Sequence, residues 1–237
     1  GRTRAPWAAT ILIRALAHAH PKVRRGAAVA LGNFRDPAVA SALILTAQGD
    51  VSYFVRTSAL HALGRTRDPR AFDVLVAAAG ALSWNGCVES GAVRGLAELG
   101  DARAIDPVLA AAALGKDELL RRAAIAALGR IGALLQSERV RVVEVLDELL
   151  DDPMFQVQLA AVAAVEALGD ARHLGSLDRL TTQAFDARIR RDAMEAIVRI
   201  REAQATPVQV AGLRDDVDSI REEQQKFREK LETLARP

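Results

Sequence analysis

One short pattern returns every 32 or 33 residues along most of this 237-residue chain. A chain built this way folds by stacking copies of a unit on one another instead of wrapping one central core. The pattern is anchored at Val23, Val55, Val88, Leu120, Val157 and Ile189, at intervals of 32, 33, 32, 37 and 32 residues. Four positions past each anchor stands alanine: Ala27, Ala59, Ala92, Ala124, Ala161 and Ala193. Seven past it is a small residue (Ala30, Ala62, Gly95, Ala127, Ala164, Ala196), and eight past it a branched aliphatic (Leu31, Leu63, Leu96, Leu128, Val165, Ile197). Asp36, Asp68, Asp101 and Asp170 stand thirteen past their anchors in four of the six copies.

Offsets of 0, 4, 5 and 8 fall on one face of a helix with 3.6 residues per turn, so each anchor opens an amphipathic helix. Small residues at offsets 4 and 7 predict close approach by the second helix of the unit. A glycine-containing break follows, at Gly32, Gly64, Gly100, Gly129 with Gly132, and Gly169. Glycine tolerates the left-handed conformation that ends a helix. The Asp then suits an N-cap, and Pro37 and Pro69 suit a first helical turn. Second helices are predicted over segments such as Ala71 to Leu82 and Arg103 to Leu114. No single helix-turn-helix unit of this size buries its apolar face alone. The expected architecture is therefore an all-α, right-handed α-solenoid of about six units.

The 37-residue interval predicts about five inserted residues near Ala133 to Glu138, as a longer loop between paired helices. Trp7 to Ala19 reads as the second helix of an earlier unit. Because the chain starts at Gly1 and an apolar stretch follows almost at once, it is read as an excised fragment.

Residues 1–206 are assigned to the solenoid. Beyond Pro207 a heptad takes over: Val210, Leu213, Val217, Ile220, Gln224, Phe227, Leu231 and Leu234, spaced alternately by 3 and 4. Residues 207–237 are thus expected to form a coiled-coil-like helix. Two roles stand open for it, capping the last unit or pairing with a second copy or a partner helix.

Composition excludes several classes. There are 28 Arg and four Lys against 30 carboxylates, and a net charge of +2 is a weak field for gripping phosphates. Nucleic acid is accordingly disfavoured as a partner. The single Cys87 excludes a disulfide framework or a multi-cysteine metal site. No apolar run reaches the ~18 residues of a membrane span, and no signal-peptide pattern opens the chain, so a cytoplasmic protein is expected.

The blocks Val55-Arg56, Ala62-Leu63-Gly64, Asp68-Pro69-Arg70-Ala71 and Leu99-Gly100-Asp101-Ala102-Arg103-Ala104 resemble HEAT-like repeats of the phycobilin-lyase type, over about residues 20–202. A narrower resemblance rests on Asp50-Val51-Ser52-Tyr53-Phe54-Val55-Arg56, the Ser83-Trp84-Asn85 turn and Leu213-Arg214-Asp215-Asp216-Val217-Asp218. These are similar to the C-terminal HEAT-repeat region of bacterial zinc aminopeptidases of the aminopeptidase N family. The resemblance implies an accessory domain that packs on a peptidase domain and helps enclose its substrate cavity. The family's zinc would belong to that upstream domain: neither His-Glu-x-x-His nor Gly-Ala-Met-Glu-Asn occurs here. No catalytic, metal or cofactor residue is carried over. The expected partner is a protein or a neighbouring domain of the same chain. Two other classes compete, a bilin-lyase-like or chaperone module and a DNA-binding HEAT protein.

The residues weighed for contact are few. Arg24, Arg56, Arg121 and Arg190 follow their anchors, joined by Arg25, Arg122 and Arg191. They read either as a basic stripe or, preferably, as bridges to the turn aspartates Asp36, Asp68, Asp101 and Asp170. Tyr53, Phe54, Trp84, Phe155 and Phe185 all fall just before anchors and are expected to plug gaps between units, with Trp84 the exposed exception. Tyr53, Trp84, Arg56, Arg122 and Arg191 are the candidate docking residues. Asp117, Glu118, Asp151 and Asp152 read as solvated helix starts. His18, His20, His61 and His173 read as solvated or helix-end residues, and Cys87 as a small buried hydrophobe.

Overall fold

A computed structural model describes residues 6–204. The heptad of 207–237 lies outside the described residues. Within them are twelve α-helices and no strand. They are α1 (Pro6–Ala15), α2 (Pro21–Leu31), α3 (Pro37–Gly49), α4 (Tyr53–Thr66), α5 (Ala71–Ala79) and α6 (Cys87–Leu99), followed by α7 (Ile105–Ala112), α8 (Glu118–Leu134), α9 (Arg139–Leu149), α10 (Phe155–Leu168) and α11 (Leu174–Gln183). The last, α12, spans 187–204. The anchor helices α2, α4, α6, α8, α10 and α12 form one layer and the odd-numbered helices the other. Trp7 to Ala19 indeed contributes to an odd-layer helix, α1, which packs on α2 and α3.

The even helices stack on one another far more closely than the odd ones do. A two-layer stack with unequal spacing curves, with the tighter layer inside. The small residues make that tight spacing, but not between paired helices of one unit as their offsets suggested. Position 9 of one unit meets position 7 of the next: a Cβ on Gly32 would stand 3.0 Å from Ala62 Cα, one on Gly64 1.9 Å from the Gly95 carbonyl oxygen, and one on Gly129 3.2 Å from the Ala164 carbonyl oxygen. Each glycine lets two inner helices touch backbone to backbone.

The glycine break therefore needs correction. Gly100 and Gly169 are left-handed C-caps, with φ of 75° and 65°. Gly64, Gly129 and Gly132 lie inside helices, and Gly32 keeps a right-handed φ of −60°. After α4 the left-handed cap is Arg67 instead. The aspartates do cap: Asp36, Asp68, Asp101 and Asp170 accept from the backbone N–H two residues on, at 2.7 to 3.1 Å.

The expected loop at 133–138 is also different. The extra residues lengthen α8 to 17 residues, against 14 for α4 and α10. Buried Ile131 continues the apolar face of Leu128, so the helix extends into more burial instead of breaking, and half-buried Leu135 packs on the core just past its end. Val23 is the one anchor left open, at 41 % exposure. No inner helix precedes α2 among the described residues. His173 is fully buried, not solvated, with Nδ1 3.2 Å from Asp147 Oδ1.

Candidate functional site

The loops that join each odd helix to the next anchor helix line up along one edge of the solenoid. In every unit the residue after the anchor stitches its helix to that edge. Arg24 Nη1 donates to the carbonyls of His18 and Ala19, each at 3.0 Å. Arg56 Nε donates to Ala47 O and Arg121 Nε to Ala112 O, both at 2.9 Å. Gln158 reaches Leu150 O at 2.6 Å, and Arg190 reaches Ala184 O at 2.7 Å. Arg56, Arg121, Gln158 and Arg190 cap carbonyls at the C-terminal ends of odd helices, where the helix dipole favours the positive charge of the arginines, while Arg24 holds the loop after α1.

Two of these arginines also reach forward. Arg24 holds Asp50 and Arg121 holds Asp152, each with a 2.5 to 2.7 Å contact to the next loop. The arginines are thus structural bridges, but their partners are loop aspartates and not the turn aspartates. Three of those pair with the arginine two residues on, Asp68 with Arg70, Asp101 with Arg103, and Asp170 with Arg172, while Asp36 has Ala38 at that place. Asp186 and Arg188 repeat the arrangement. Hydrogen bonding from the arginine holds each of these carboxyls below the usual carboxylate range, Asp170 furthest. Asp152 is consequently buried, not a solvated helix start.

The third unit inverts the chemistry. Its residue after the anchor is Glu89, 3 % exposed, whose carboxylate accepts from the Ser83 N–H at 2.7 Å and from the Ser83 hydroxyl. Val88 N–H donates to Ser83 Oγ at 3.0 Å. The turn between is tight: Asn85 and Gly86 have φ of 54° and 61°, and a Cβ on Gly86 would meet Leu120 Cβ at 2.9 Å. Trp84 rides on this turn, 70 % exposed. An aromatic on a pre-formed turn loses little entropy when a partner covers it.

Trp84 is not the exception among its neighbours. Val51, Tyr53, Phe54, Leu82, Leu114 and Phe185 are exposed at the same edge, Leu82 and Phe185 completely. The expectation that these aromatics plug gaps fails for Tyr53, Phe54 and Phe185. It holds for half-buried Phe155, covered by the Arg188 guanidinium 4.3 Å from its ring centroid. Lys22 and Arg25 flank Phe54 in a cleft of about 280 Å³. A second cleft of about 350 Å³ lies beside Leu114, with Glu148 and Asp151 on its rim.

The candidate docking residues therefore separate. Tyr53 and Trp84 belong to the apolar row. Arg56 is half-buried and occupied with Ala47. Arg122 pairs with Glu118 at 3.3 Å, and Arg191 with Asp192 at 2.9 Å. Sequence reasoning passed over Glu89 and the aliphatic members of the row. Glu89 was visible as the acidic residue at a position held elsewhere by Arg or Gln. Nothing in periodicity marks Leu82 or Leu114. Cys87 is buried, as expected. No group of three or more His, Cys, Asp or Glu among the described residues could hold a metal ion, and none of their helices is long and apolar enough to cross a membrane.

The family profile for HEAT repeats matches residues 8–86 and 81–164. The chain belongs to the HEAT-repeat family. No curated protein sequence matches it. Among solved structures, the HEAT solenoid is similar to a chain in the complex of CpcE and CpcF of phycocyanin lyase from Nostoc sp. PCC7120, at 22% identity and a TM-score of 0.53, covering 83% of this chain and 77% of that one. It is also similar to computationally designed armadillo repeat proteins for modular peptide recognition, at 18% identity and a TM-score of 0.45, covering 80% and 98%. These likenesses are of fold.

Proposed function

We propose that this HEAT solenoid is a non-catalytic docking domain whose apolar loop edge packs against a zinc aminopeptidase domain of the same cytoplasmic polypeptide. The carrying observation is the exposed row from Val51 to Phe185, with Trp84 presented on a turn fixed by Glu89. Scattered exposed hydrophobes are ordinary, but a contiguous row on one edge marks a contact surface. The two internal stretches that resemble the aminopeptidase N family, 50–56 and 83–85, lie at successive loops of this edge, the first running on into the opening turn of α4. That placement supports the parent enzyme and the edge together. The solenoid's contribution is geometric: rigid loops hold a neighbouring domain, and peptide hydrolysis belongs to that neighbour.

The parent chain supplies the test. Residues encoded upstream of Gly1 are expected to include His-Glu-x-x-His, and their absence defeats the peptidase reading. In a parent chain nicked between its domains, the two pieces are expected to co-elute, and to separate when Phe54→Ser and Trp84→Ser are combined. Unchanged co-elution of the variant defeats the edge. Zinc-dependent turnover of aminoacyl reporter substrates by this chain alone overturns the non-catalytic assignment.

A second reading, a bilin-lyase-like module, is motivated by the fold shared with the phycocyanin lyase chain. A shift in the absorption spectrum of a free bilin on titration with the protein is its expected sign.

A further inference from the structure

The last described helix carries an open face that the repeat itself identifies. Five residues past the anchor, Ala28, Leu60, Val93, Ile125 and Val162 are all buried, at 1 % exposure or less. The sixth copy of that position is Met194, which is 51 % exposed. Nine past the anchor, Gly32, Gly64, Ala97 and Gly129 are buried and Glu166 is half-buried, whereas Val198 is 53 % exposed. In the earlier units these positions face the next inner helix, as the Gly64 and Gly129 contacts show. Met194 and Val198 therefore mark the surface on which one more inner helix would lie.

The face has a readable register. Ala187, Arg191, Met194, Val198 and Arg201 are spaced 4, 3, 4 and 3, the repeat of a coiled-coil seam. The heptad outside the described residues runs Val210, Leu213, Val217, Ile220 and Gln224, spaced 3, 4, 3 and 4. Read in opposite directions the two spacings coincide, aligning Arg201 with Val210, Val198 with Leu213, Met194 with Val217, Arg191 with Ile220, and Ala187 with Gln224. Pro207 falls in sequence between the two series, and proline disfavours a continuous helix through that position. Arg191, at one end of the open face, is paired with Asp192 and Glu195 of its own helix, so apolar register and not charge carries the match.

We propose that residues 208–237 fold back as an amphipathic helix antiparallel to α12 and seat Leu213 and Val217 on Val198 and Met194, closing this end of the solenoid. The occupant is the chain's own segment and not a second copy. A helix joined by a connection this short is presented at an effective concentration near millimolar, which a free copy does not match at ordinary protein concentrations. In the same register Phe227 falls opposite residue 184, beside the fully exposed Phe185.

The chain's two methionines make the test direct, because Met154 at 38 % exposure serves as an internal reference for Met194. Intact protein is treated with dilute hydrogen peroxide and each methionine is followed by peptide mass spectrometry. Met194 is expected to oxidise several-fold more slowly than Met154, at a ratio independent of protein concentration. Leu213→Asp combined with Val217→Asp is expected to bring Met194 up to the rate of Met154 while leaving Met154 unchanged. Oxidation of Met194 as fast as Met154 in the unmodified protein overturns the proposal. Protection that grows with protein concentration also overturns it, by assigning the face to a second copy.

Discussion

Arg121 and Asp152 form a buried ion pair across 31 residues of sequence, with Nη2 2.5 Å from Oδ2 and Nη1 3.2 Å from Oδ1. Their side chains are 1 % and 4 % exposed. The guanidinium also caps the Ala112 carbonyl at the end of α7, so one side chain joins an anchor helix to the loops on both sides of it. Such a pair locks the stacking of units because neither charge has water to fall back on.

Removing one partner leaves the other charge buried. Arg121→Ala is expected to lower unfolding free energy by about 3–5 kcal/mol in urea denaturation. Arg121→Met with Asp152→Leu is expected to recover most of that loss, since no charge is stranded. A single variant costing under ~1 kcal/mol would contradict the strength assigned to this bridge.

Two glycine substitutions are expected to move stability in opposite directions. Gly64→Ala drives a Cβ into the Gly95 carbonyl, so α4 and α6 must separate, at a cost of about 1–3 kcal/mol or more. Gly26→Ala lies within α2 with nothing inside 4 Å, and is expected to stabilise by up to ~1 kcal/mol. Thermal melting of the two variants gives the comparison.

Acid stability follows from the aspartate–arginine pairs. Hydrogen bonds from Arg24, Arg70, Arg103 and Arg172 lower the folded-state pKa values of Asp50, Asp68, Asp101 and Asp170 from the ordinary 3.8. A lowered folded-state value means that the unfolded chain takes up protons first. The stabilisation is complete above about pH 5 and is lost progressively as pH falls through 3.8 and below. Arg172→Gln is expected to lower the melting temperature above about pH 5, where the stabilisation is complete, and to converge with the unmodified protein at low pH, so that the acid limb flattens.

His61 titrates on the inner face. Burial lowers its pKa below 6.5, opposed by Glu98 and aided by the charges of Arg94 and Arg65. The neutral ring is the folded form, so His61 contributes a stability loss that begins as pH falls through 6.5. Proton NMR of the ring is expected to give a midpoint below 6.5, and His61→Gln to remove that part of the slope.

Surface members of the edge are expected to behave differently from all of these. Trp84→Ser and Phe54→Ser should each change unfolding free energy by no more than ~0.5 kcal/mol, because both side chains are already in water. A large loss for Trp84→Ser would make it a packing residue.

Much of this molecule is legible from its spacing. Anchors at 32-residue intervals, alanine four positions on and aspartate thirteen on specify helices, caps and a stack, because helix periodicity and capping are local properties. The same spacing misassigned what the small residues face. Offsets locate a residue on its own helix but do not say which neighbour approaches, and only the contact of Gly64 with Gly95 places the small face between successive units. The arginines were legible as bridges, yet Arg121 finds Asp152 and not a turn aspartate, since the choice depends on which loop the curvature brings within reach. The docking edge was the least legible. Phe155 and Phe185 hold nearly the same place in their units, but Arg188 covers one ring and leaves the other in solvent. The order of residues thus determined the repeating unit and its caps. The tertiary stack alone decided which apolar side chains were buried, because burial depends on what the neighbouring unit supplies and not on the residue itself.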